Sequence, residues 1–302
     1  MTFSFDDIPN LDGKVAIVTG SNTGIGFVTA RELAKKGAHV IFASRSREKT
    51  LAAIESIKPL VPDASKLEFL PLDLLNLKSV YEFADAFKAR NLPLHILVNN
   101  AGVMMPPFQL SADGIESQFA TNHVGHHALT VALLPILEAS APSRVVVVSS
   151  EGHKYNTGPN GLDLDNVNDE SKYVSWRWYG QSKIANIFFA RELIRQLRER
   201  GINNVYVNTL HPGLISTELA RHTYWILKWI LSWFALTPDD GAKTQLYVAT
   251  SEDIVKNDWH GMYFKPIAQL SESNAQGNNA EEAKKLWAYT EALIKEKVGE
   301  RN

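Results

Sequence analysis

Short apolar runs alternate with amphipathic stretches along most of this chain, and this alternation constrains the fold more than any other feature of the sequence. The run at residues 145–148 consists of valine only. A continuous apolar strand, unlike an alternating one, is typical of a parallel sheet covered by helices on both faces. Repeated strand–helix units with right-handed crossovers therefore predict an α/β fold with a doubly wound parallel sheet. The predicted strands are residues 15–19, 40–43, 67–70, 95–98, 144–148 and 205–208, and the predicted helices are residues 25–36, 47–57, 77–89, 113–139 and 179–200.

The same pattern predicts a single folded unit. No repeat, low-complexity run or Gly/Ser-rich linker interrupts the 302 residues, so we expect one domain over residues 1–302. Near the end, the Lys/Glu-rich stretch 280–298 predicts a solvated helix whose Leu286, Leu293 and Ile294 pack inward. Doubly wound sheets bind ligands beyond the carboxyl ends of their strands. Functional residues are therefore expected just after each predicted strand.

Composition excludes several classes of function. The chain has 31 basic and 33 acidic side chains and a net charge of −2, so it lacks the basic surface that nucleic-acid binding requires. It has no cysteine, which excludes a disulfide framework, a thiolate metal site and a cysteine nucleophile. The first residues lack the apolar segment of a secretory signal, and we expect a cytoplasmic protein without a transmembrane helix.

A glycine-rich turn follows the first predicted strand. It reads Thr-Gly-Ser-Asn-Thr-Gly-Ile-Gly and leads into an amphipathic helix. Glycines allow the backbone to turn sharply and to approach a pyrophosphate at the helix N-terminus. The alternative is a loop that merely begins a helix, but the position between a buried strand and a helix favours a dinucleotide. The predicted contacts are Gly20, Ser21, Asn22, Thr23, Gly24, Ile25 and Gly26.

The spacing Thr-Gly-x-x-x-Gly-Ile-Gly resembles the short-chain dehydrogenase/reductase family, and four further motifs follow in that family's order. These motifs are Asn99-Asn100-Ala101-Gly102, Ser149-Ser150, Tyr179-x-x-x-Lys183, and Pro212-Gly213 with Thr217 downstream. The resemblance covers roughly residues 11–270. Within the family, the phrases Asn-Asn-Ala-Gly-Val-Met and Tyr-Gly-Gln-Ser-Lys-Ile-Ala-Asn resemble the retinol-dehydrogenase-like and WW-domain-oxidoreductase-like branch. The resemblance implies a Rossmann-type fold and a nicotinamide cofactor.

The end of the second predicted strand bears on which nicotinamide is used. NAD sites generally place an acid there, about 20 residues past the glycines, whereas an arginine receives the 2′-phosphate of NADP. This chain has Ser44 and Arg45 and no acid at that point. Arg45 can grip a phosphate bidentately and Ser44 can donate a hydrogen bond, so we predict NADP(H). The alternative is that Arg45 and Arg47 are only the solvated start of a helix.

The resemblance completes the expected cofactor site. It implies that Asp73, after the third strand, contacts the adenine amino group. The further cofactor contacts that the resemblance implies are Leu74, Asn100, Ala101, Gly102, Tyr179, Lys183, Pro212, Gly213, Ile215 and Thr217.

Tyr179 and Lys183 are the candidate catalytic pair, because residues four apart share a helix face. A free phenol titrates near 10, and a neighbouring ammonium together with an oxidised nicotinamide is expected to lower that pKa. Tyr179 then moves a proton to or from the substrate oxygen. Ser150 is predicted to hold that oxygen, with Ser149 as its strand-end neighbour. The resemblance adds Asn122, which ties Lys183 to a water chain.

No metal site is expected. His123, His126 and His127 include a pair at helical spacing that could bind zinc. No third ligand accompanies them, and the stretch resembles an ordinary family helix beside the active site. His211 is predicted to be structural.

Trp225, Trp229 and Trp233 form one stripe within residues 221–236. By the resemblance, residues 214–240 form a small helical substrate lid, and an aromatic lid favours a bulky apolar substrate such as a steroid, a retinoid or a polyketide ring. Two alternatives stay open for the stripe: a peripheral membrane contact and the surface of a homo-oligomer. The residues expected to line the same pocket are Met104, Met105, Pro106 and Phe108, and residues 151–178 are expected to form a loop at its rim.

Together these features predict an NADP(H)-dependent oxidoreductase that interconverts a carbonyl and a secondary or primary alcohol on a bulky apolar small molecule, in the reductive direction. One alternative is an NADP-binding scaffold or regulatory protein of low turnover. A second is an epimerase or dehydratase of related fold, although no nucleotide-sugar domain is indicated.

Overall fold

A computed structural model of the protein describes residues 3–155, 161–213 and 236–299. Its strands are β1 Val15–Thr19, β2 His39–Ser44, β3 Leu67–Pro71, β4 Ile96–Asn99, β5 Ser143–Val148, β6 Val205–Leu210, β7 Tyr263–Lys265 and β8 Gln269–Ser271. They form one eight-stranded sheet in the order β3-β2-β1-β4-β5-β6-β7-β8. Neighbouring strands are parallel throughout, except that β8 is antiparallel to β7. The predicted doubly wound parallel sheet is confirmed.

The helices that flank this sheet include every predicted one, two of them with a different start, and two that the sequence did not predict, after β6. They are α1 Gly24–Lys35, α2 Arg47–Ile57, α3 Leu77–Lys88, α4 Ser117–Phe119, α5 Gly125–Ala139, α6 Ser175–Glu199, α7 Pro238–Thr250, α8 Asp253–Lys256 and α9 Ala280–Val298. A π-helical turn, Ala120–Val124, joins α4 to α5, so the helix predicted over residues 113–139 begins later and is not uniform. The helix predicted from residue 179 begins one turn earlier, at Ser175.

Both faces of the sheet are buried, which explains the continuous apolar strands. In β1, Val15 and Ile17 lie in a core formed with α3, α5, α6 and α9. Ala16 and Val18 point the other way, into a core formed with α1, α2 and α7. Because side chains alternate between the faces of a strand, both sets must be apolar when helices cover both faces.

Helix α9 begins and packs as its sequence predicts. Asn279 caps α9 by accepting hydrogen bonds from the amides of Glu281 and Glu282, a role that asparagine performs well. Leu286 and Leu293 on the same helix are buried in the core beside α6. Among the residues that the structure describes, no helix is long and apolar enough to cross a membrane.

Residues 151–178, between Ser150 and Tyr179, were predicted to form a loop at the pocket rim, but part of this segment packs into the core. Leu164 and Val167 are buried in the core, and the indole Nε1 of Trp178 donates to the Val167 carbonyl at 2.8 Å. Trp176, by contrast, is 53% exposed. Residues 156–160 of this interval lie outside the described ranges.

Candidate active site

The predicted motifs meet at one edge of the sheet. The strands β1, β4, β5 and β6 are neighbours and parallel, so their carboxyl ends lie side by side. The chain runs from β1 outward to β3 and then returns to β4 on the other side of β1. Such a reversal of strand order opens a crevice between the two strands. The glycine turn after β1 and the Asn-Asn-Ala-Gly turn after β4 border this crevice.

Thr19 and Asn100 tie these two turns together. The Thr19 hydroxyl accepts the backbone N–H groups of Asn100 and Ala101, each at 2.9 Å. In return, the Asn100 side-chain amide donates to the Thr19 carbonyl at 2.8 Å. The two predicted turns therefore form one rigid unit.

Two glycines in this unit are required because other residues of the unit lie too close to leave room for a Cβ. Gly20 has a φ of +66°, and a Cβ there would lie 3.0 Å from the Ala101 Cα. A Cβ on Gly26 would lie 2.4 Å from both the Asn100 Nδ2 and the Gly20 carbonyl oxygen. Since real Cβ atoms do not approach other atoms so closely, Gly26 lets α1 begin directly against the turn.

The residues of the glycine turn fit a phosphate group. The Ser21 hydroxyl is buried and has no hydrogen-bond partner among the described residues. Thr23 makes no side-chain cap to α1, and the first turn of α1 contains no acidic residue. An uncapped helix N-terminus without negative charge stabilises a bound anion. Gly24, which opens α1, has a φ of +57°, and the partly exposed Asn22 and Ile25 complete the turn.

At the end of β2, Arg45 is exposed and makes no hydrogen bond or ion pair with the part of the chain that the structure describes. The Arg47 guanidinium instead lies 5.7 Å from the centre of the Phe69 ring. The Ser44 hydroxyl is buried and in hydrogen-bond contact with that of Thr50. Arg45 is therefore free to bind an anion, whereas Ser44 points inward.

Asp73 and Leu74 follow β3, at the same edge of the sheet. One Asp73 oxygen accepts the Leu75 amide at 3.0 Å, and the other has no partner among the described residues. Leu74 is buried against Gly125, where a Cβ would lie 2.8 Å from the Leu74 carbonyl oxygen. One acceptor of Asp73 is thus available to a ligand.

The structure brings Ser150 and Tyr179 together. The Ser150 hydroxyl lies close enough to the Tyr179 phenol to oppose the rise in the phenol's pKa that burial causes. A Cβ on Gly152 would contact both side chains, at 3.0 Å from the Tyr179 ring and 3.4 Å from the Ser150 Oγ. The Ser149 hydroxyl turns away and donates to the Lys183 carbonyl at 2.7 Å. Of the two serines, Ser150 is the one that faces the tyrosine.

Lys183 lies beside the same tyrosine. Its ammonium donates to the Val148 carbonyl at 3.2 Å and lies 5.7 Å from the centre of the Tyr179 ring. Burial raises the pKa of Tyr179 and lowers the pKa of Lys183 to about 8. The sequence led us to expect a lowered phenol pKa. In the chain alone, desolvation outweighs the opposing effect of Ser150.

Asn122 joins this group from the π-helical turn. Its side chain accepts the Val103 amide at 2.8 Å and donates to the Val103 carbonyl at 3.0 Å and to the Ser182 hydroxyl at 2.9 Å. A Cβ on Gly102 would lie 3.2 Å from the Asn122 Oδ1 and 3.5 Å from the Lys183 ammonium. The asparagine side chain thus holds the backbone after the Asn-Asn-Ala-Gly turn against the lysine.

The Pro212-Gly213 turn follows β6 and is held by His211. The Gly213 amide donates to the His211 Nδ1 at 3.2 Å, and the His211 Nε2 lies 3.0 Å from a Glu151 oxygen. Burial lowers the pKa of His211 to about 4, so its neutral ring links the turn to the segment after β5, a structural contact. The predicted Ile215, Thr217, Trp225, Trp229 and Trp233 lie outside the described residues, as does most of the predicted lid.

An open pocket of about 390 Å³, with both polar and apolar surface, adjoins the loop after the Asn-Asn-Ala-Gly turn. It is lined by Met105, Pro106, Pro107, Phe108, Tyr173 and Ser175. The predicted Met105, Pro106 and Phe108 are therefore among its lining. Tyr173 was missed because it lies 67 positions from Pro106, whose carbonyl its hydroxyl contacts at 2.6 Å. Gln118 fixes this wall by donating to the Tyr173 oxygen at 2.9 Å.

The three clustered histidines have separate polar partners. The His123 Nε2 lies 3.0 Å from the Thr290 hydroxyl, the His127 Nε2 lies 2.5 Å from Glu291, and the His126 Nε2 lies 2.9 Å from the Thr19 hydroxyl. Within the described ranges no three His, Asp or Glu side chains are grouped so as to hold a metal ion. His126 was missed in the sequence as a member of the site.

Comparison with known proteins agrees with this geometry. A family model described as short chain dehydrogenase matches residues 14–159. The short-chain dehydrogenase TIC 32 A, chloroplastic, of Brassica napus is 42% identical over 94% of this chain and 90% of its own length. Retinol dehydrogenase 11 of Mus musculus is 40% identical over 92% of this chain and 85% of its own. The WW domain-containing oxidoreductase of Homo sapiens is 38% identical over 96% of this chain and 70% of its own length.

A solved structure supports the same conclusion. An uncharacterised protein from Mycobacterium paratuberculosis superimposes with a TM-score of 0.78 at 34% sequence identity, covering 98% of both chains. The predicted resemblance to the dehydrogenase branch is confirmed by these relatives.

Proposed function

This chain belongs to the short-chain dehydrogenase/reductase family, and from that premise we propose that it is an NADP(H)-dependent oxidoreductase that reduces a carbonyl on a bulky apolar substrate to an alcohol. The observation that carries the proposal is the contact of Ser150 and Tyr179 beside the buried Lys183. A hydrogen-bond donor, a proton donor and a cation are what the oxygen of a carbonyl needs as it becomes an alcohol.

The preference for NADP(H) rests on charge at the end of β2. Arg45 is exposed and has no ion-pair partner among the described residues. It follows β2 directly, and no acidic residue stands at the end of that strand. A carboxylate there would repel a 2′-phosphate, whereas a guanidinium binds it with two parallel hydrogen bonds. Reduction is the favoured direction because cells generally keep NADP in its reduced form.

The chain's own residues supply the proton chemistry, while a bound nicotinamide supplies hydride exchange with carbon. Ser150 donates a hydrogen bond to the carbonyl oxygen and holds it at the Tyr179 hydroxyl. Tyr179 gives its phenolic proton to that oxygen as the carbonyl carbon is reduced. Lys183, buried and 5.7 Å from the ring centre, stabilises the phenolate that forms, because a nearby positive charge favours the ionised phenol.

The apolar substrate class rests on the pocket beside the loop after the Asn-Asn-Ala-Gly turn. The side chains of Met105, Pro106, Pro107 and Phe108 in its lining are apolar, and apolar side chains with a few polar groups are typical of sites for lipophilic small molecules. The mouse relative is named a retinol dehydrogenase, which makes retinoids a first choice for assay alongside steroids and polyketide rings.

The test is a panel of ketones, aldehydes, steroids and retinoids, with NADPH consumption followed by absorbance. We expect wild-type turnover with apolar carbonyls and loss of at least about 100-fold in Tyr179→Phe, the range for removing a general acid. Tyr289→Phe is the matched control, because its hydroxyl contacts only the Leu164 carbonyl at 3.2 Å in the described chain. NADPH binding without consumption of any carbonyl would contradict the proposal and favour a scaffold of low turnover.

A further inference from the structure

His126 occupies a position that links three parts of the site. It is buried, at 2% exposure, in the first turn of α5, directly after the π-helical turn. Its Nε2 lies 2.9 Å from the Thr19 hydroxyl, and its Nδ1 lies 3.2 Å from the Asn122 carbonyl oxygen. One ring therefore contacts the strand end before the glycine turn and the backbone of the asparagine beside Lys183.

The hydrogen bonds fix the protonation of this ring. The Asn122 carbonyl can only accept, so the His126 Nδ1 must carry the proton. Burial and the Lys183 ammonium lower the pKa of His126 to about 4, which keeps the ring neutral at physiological pH. His123, the other titratable group nearby, also has its pKa lowered by burial. The Nε2 of the neutral ring is then an acceptor, and the Thr19 hydroxyl donates to it.

The backbone of His126 is anchored on the same side. Its carbonyl accepts the Thr130 hydroxyl at 2.8 Å, and that hydroxyl accepts the Asn99 side-chain amide at 2.8 Å. Asn99 is the last residue of β4, next to the turn that Thr19 holds. His126 therefore cannot shift without disturbing both the turn after β4 and the Thr19 hydroxyl.

The Asn122 carbonyl is the group that this arrangement controls. The side chain of Asn122 bonds to Val103 and Ser182, and its backbone carbonyl lies 3.2 Å from the His126 Nδ1. In the π-helical turn the Gly125 amide donates five residues back, to Ala120, so the carbonyls within the turn depart from the regular helical pattern. The His126 ring then takes up one lone pair of this carbonyl and fixes its direction.

Resting on the proposed function, we propose that His126 is a positioning residue that couples the glycine turn, through Thr19, to the backbone of Asn122, whose side chain bonds to Ser182 next to Lys183. The His126 Nδ1 donates to the Asn122 carbonyl and sets its direction. The Thr19 hydroxyl donates to the His126 Nε2, which orients that hydroxyl to accept the amides of Asn100 and Ala101. One side chain thus holds the glycine turn and the π-helical turn in fixed relative positions.

Two substitutions separate the two halves of this role, because the amide of asparagine overlies a histidine Nδ1 and that of glutamine overlies Nε2. In His126→Asn, the Asn122 contact is kept and the Thr19 contact is lost. We expect NADPH, titrated by its fluorescence, to bind about 3- to 10-fold more weakly, the worth of one buried hydrogen bond. The kcat at saturating NADPH should stay within about 2-fold of wild type.

In His126→Gln, the pattern is reversed. NADPH affinity is expected to stay within about 2-fold, while kcat falls about 3- to 10-fold, and the amides of residues 120–127 exchange with deuterium faster than in wild type. His123→Gln is the matched control on the same stretch of helix, since its partner is Thr290 on α9. It should change neither NADPH affinity nor the exchange of the π-helical turn.

Equal losses in both His126 variants, or no change in either, would overturn the coupling. If none of the carbonyls tested supports NADPH consumption by the wild-type protein, the proposed function fails. NADPH affinity and amide exchange still decide the role of His126 in that case, because neither measurement needs turnover.

Discussion

At the scale of single residues, the two serines after β5 show how neighbouring side chains acquire different roles. Ser149 donates to the Lys183 carbonyl inside the core, and Ser150 faces the Tyr179 phenol. We expect Ser150→Ala to lower kcat about 100-fold, the cost of one donor to a developing oxyanion, with an unchanged melting temperature. Ser149→Ala should instead cost about 0.5–1.5 kcal/mol of stability, because it removes one buried hydrogen bond to the Lys183 carbonyl within α6. Steady-state rates and thermal melts of both variants test this, and indistinguishable effects would contradict it.

Arg45 and Arg47 form a second such pair, only one of which is free to bind an anion. Removing a charge-assisted hydrogen bond to a 2′-phosphate in Arg45→Ser should lower kcat/KM for NADPH about 10- to 100-fold, with little change for NADH. Arg47→Ser is the control and should alter neither value much. A wild-type enzyme that prefers NADH would show that Arg45 is only the solvated start of α2.

The pH dependence of reduction should report Lys183. Burial lowers its pKa to about 8 and raises that of Tyr179, so the lysine is the first of the two to lose its proton as pH rises. The ammonium stabilises the phenolate that proton donation leaves behind. The value of kcat/KM for NADPH-driven reduction is therefore expected to be flat below pH 7 and to fall above about 8. A first decline only near the ordinary lysine pKa, about 10.4, would contradict this account.

At the scale of elements, the start of α1 depends on one missing side chain. A Cβ on Gly26 would lie 2.4 Å from the Asn100 amide that joins the two turns. Gly26→Ala should weaken NADPH binding more than about 10-fold because it forces that amide away from the Thr19 carbonyl. Ala30→Gly on the same helix is the control: it should cost about 1 kcal/mol of stability and leave NADPH affinity unchanged. Equal affinities of the two variants would contradict a local clash.

Local elements could be predicted because their signals are local. The glycine turn, the Tyr-x-x-x-Lys spacing and helix α9 all lie within a few turns of chain, and each is found where its residues predict. The missed features join distant positions: His126 meets Thr19 across 107 residues, and Tyr173 meets Pro106 across 67. The strands β7 and β8 were missed because three residues each are too few to show a period.

The π-helical turn was missed for a different reason. Residues 113–139 carry a helical pattern, and periodicity alone does not reveal where a helix changes its hydrogen bonding. Within the turn, the Asn122 side chain bonds to Val103 and Ser182, contacts that only the folded sheet edge brings together. Such turns are frequent at functional sites, so the departure from a regular helix coincides with the catalytic group.

At the scale of the whole molecule, histidines buried between helices and sheet couple folding to pH. Burial lowers the pKa of both His123 and His126, so the folded chain keeps them neutral while the unfolded chain protonates them near the ordinary value of about 6.5. Below that pH the unfolded state binds more protons. The free energy of unfolding should therefore fall as pH drops from about 6.5 towards 4, by up to about 1.4 kcal/mol per pH unit for each histidine.

The contribution of His123 to this slope can be measured alone. Its Nε2 contacts the Thr290 hydroxyl on α9 at 3.0 Å, and a glutamine amide can keep that contact without titrating. Urea denaturation between pH 5 and 6.5 should show that His123→Gln reduces the mean slope by about 1 kcal/mol per pH unit, because the unfolded histidine is only half protonated at pH 6.5. Glu116, whose pKa burial raises, acts in the opposite direction, but it is present in both proteins and therefore cancels from the difference between their slopes. An unchanged slope would mean that His123 is protonated in the folded protein, and its packing against α9 would then have to accommodate a charge.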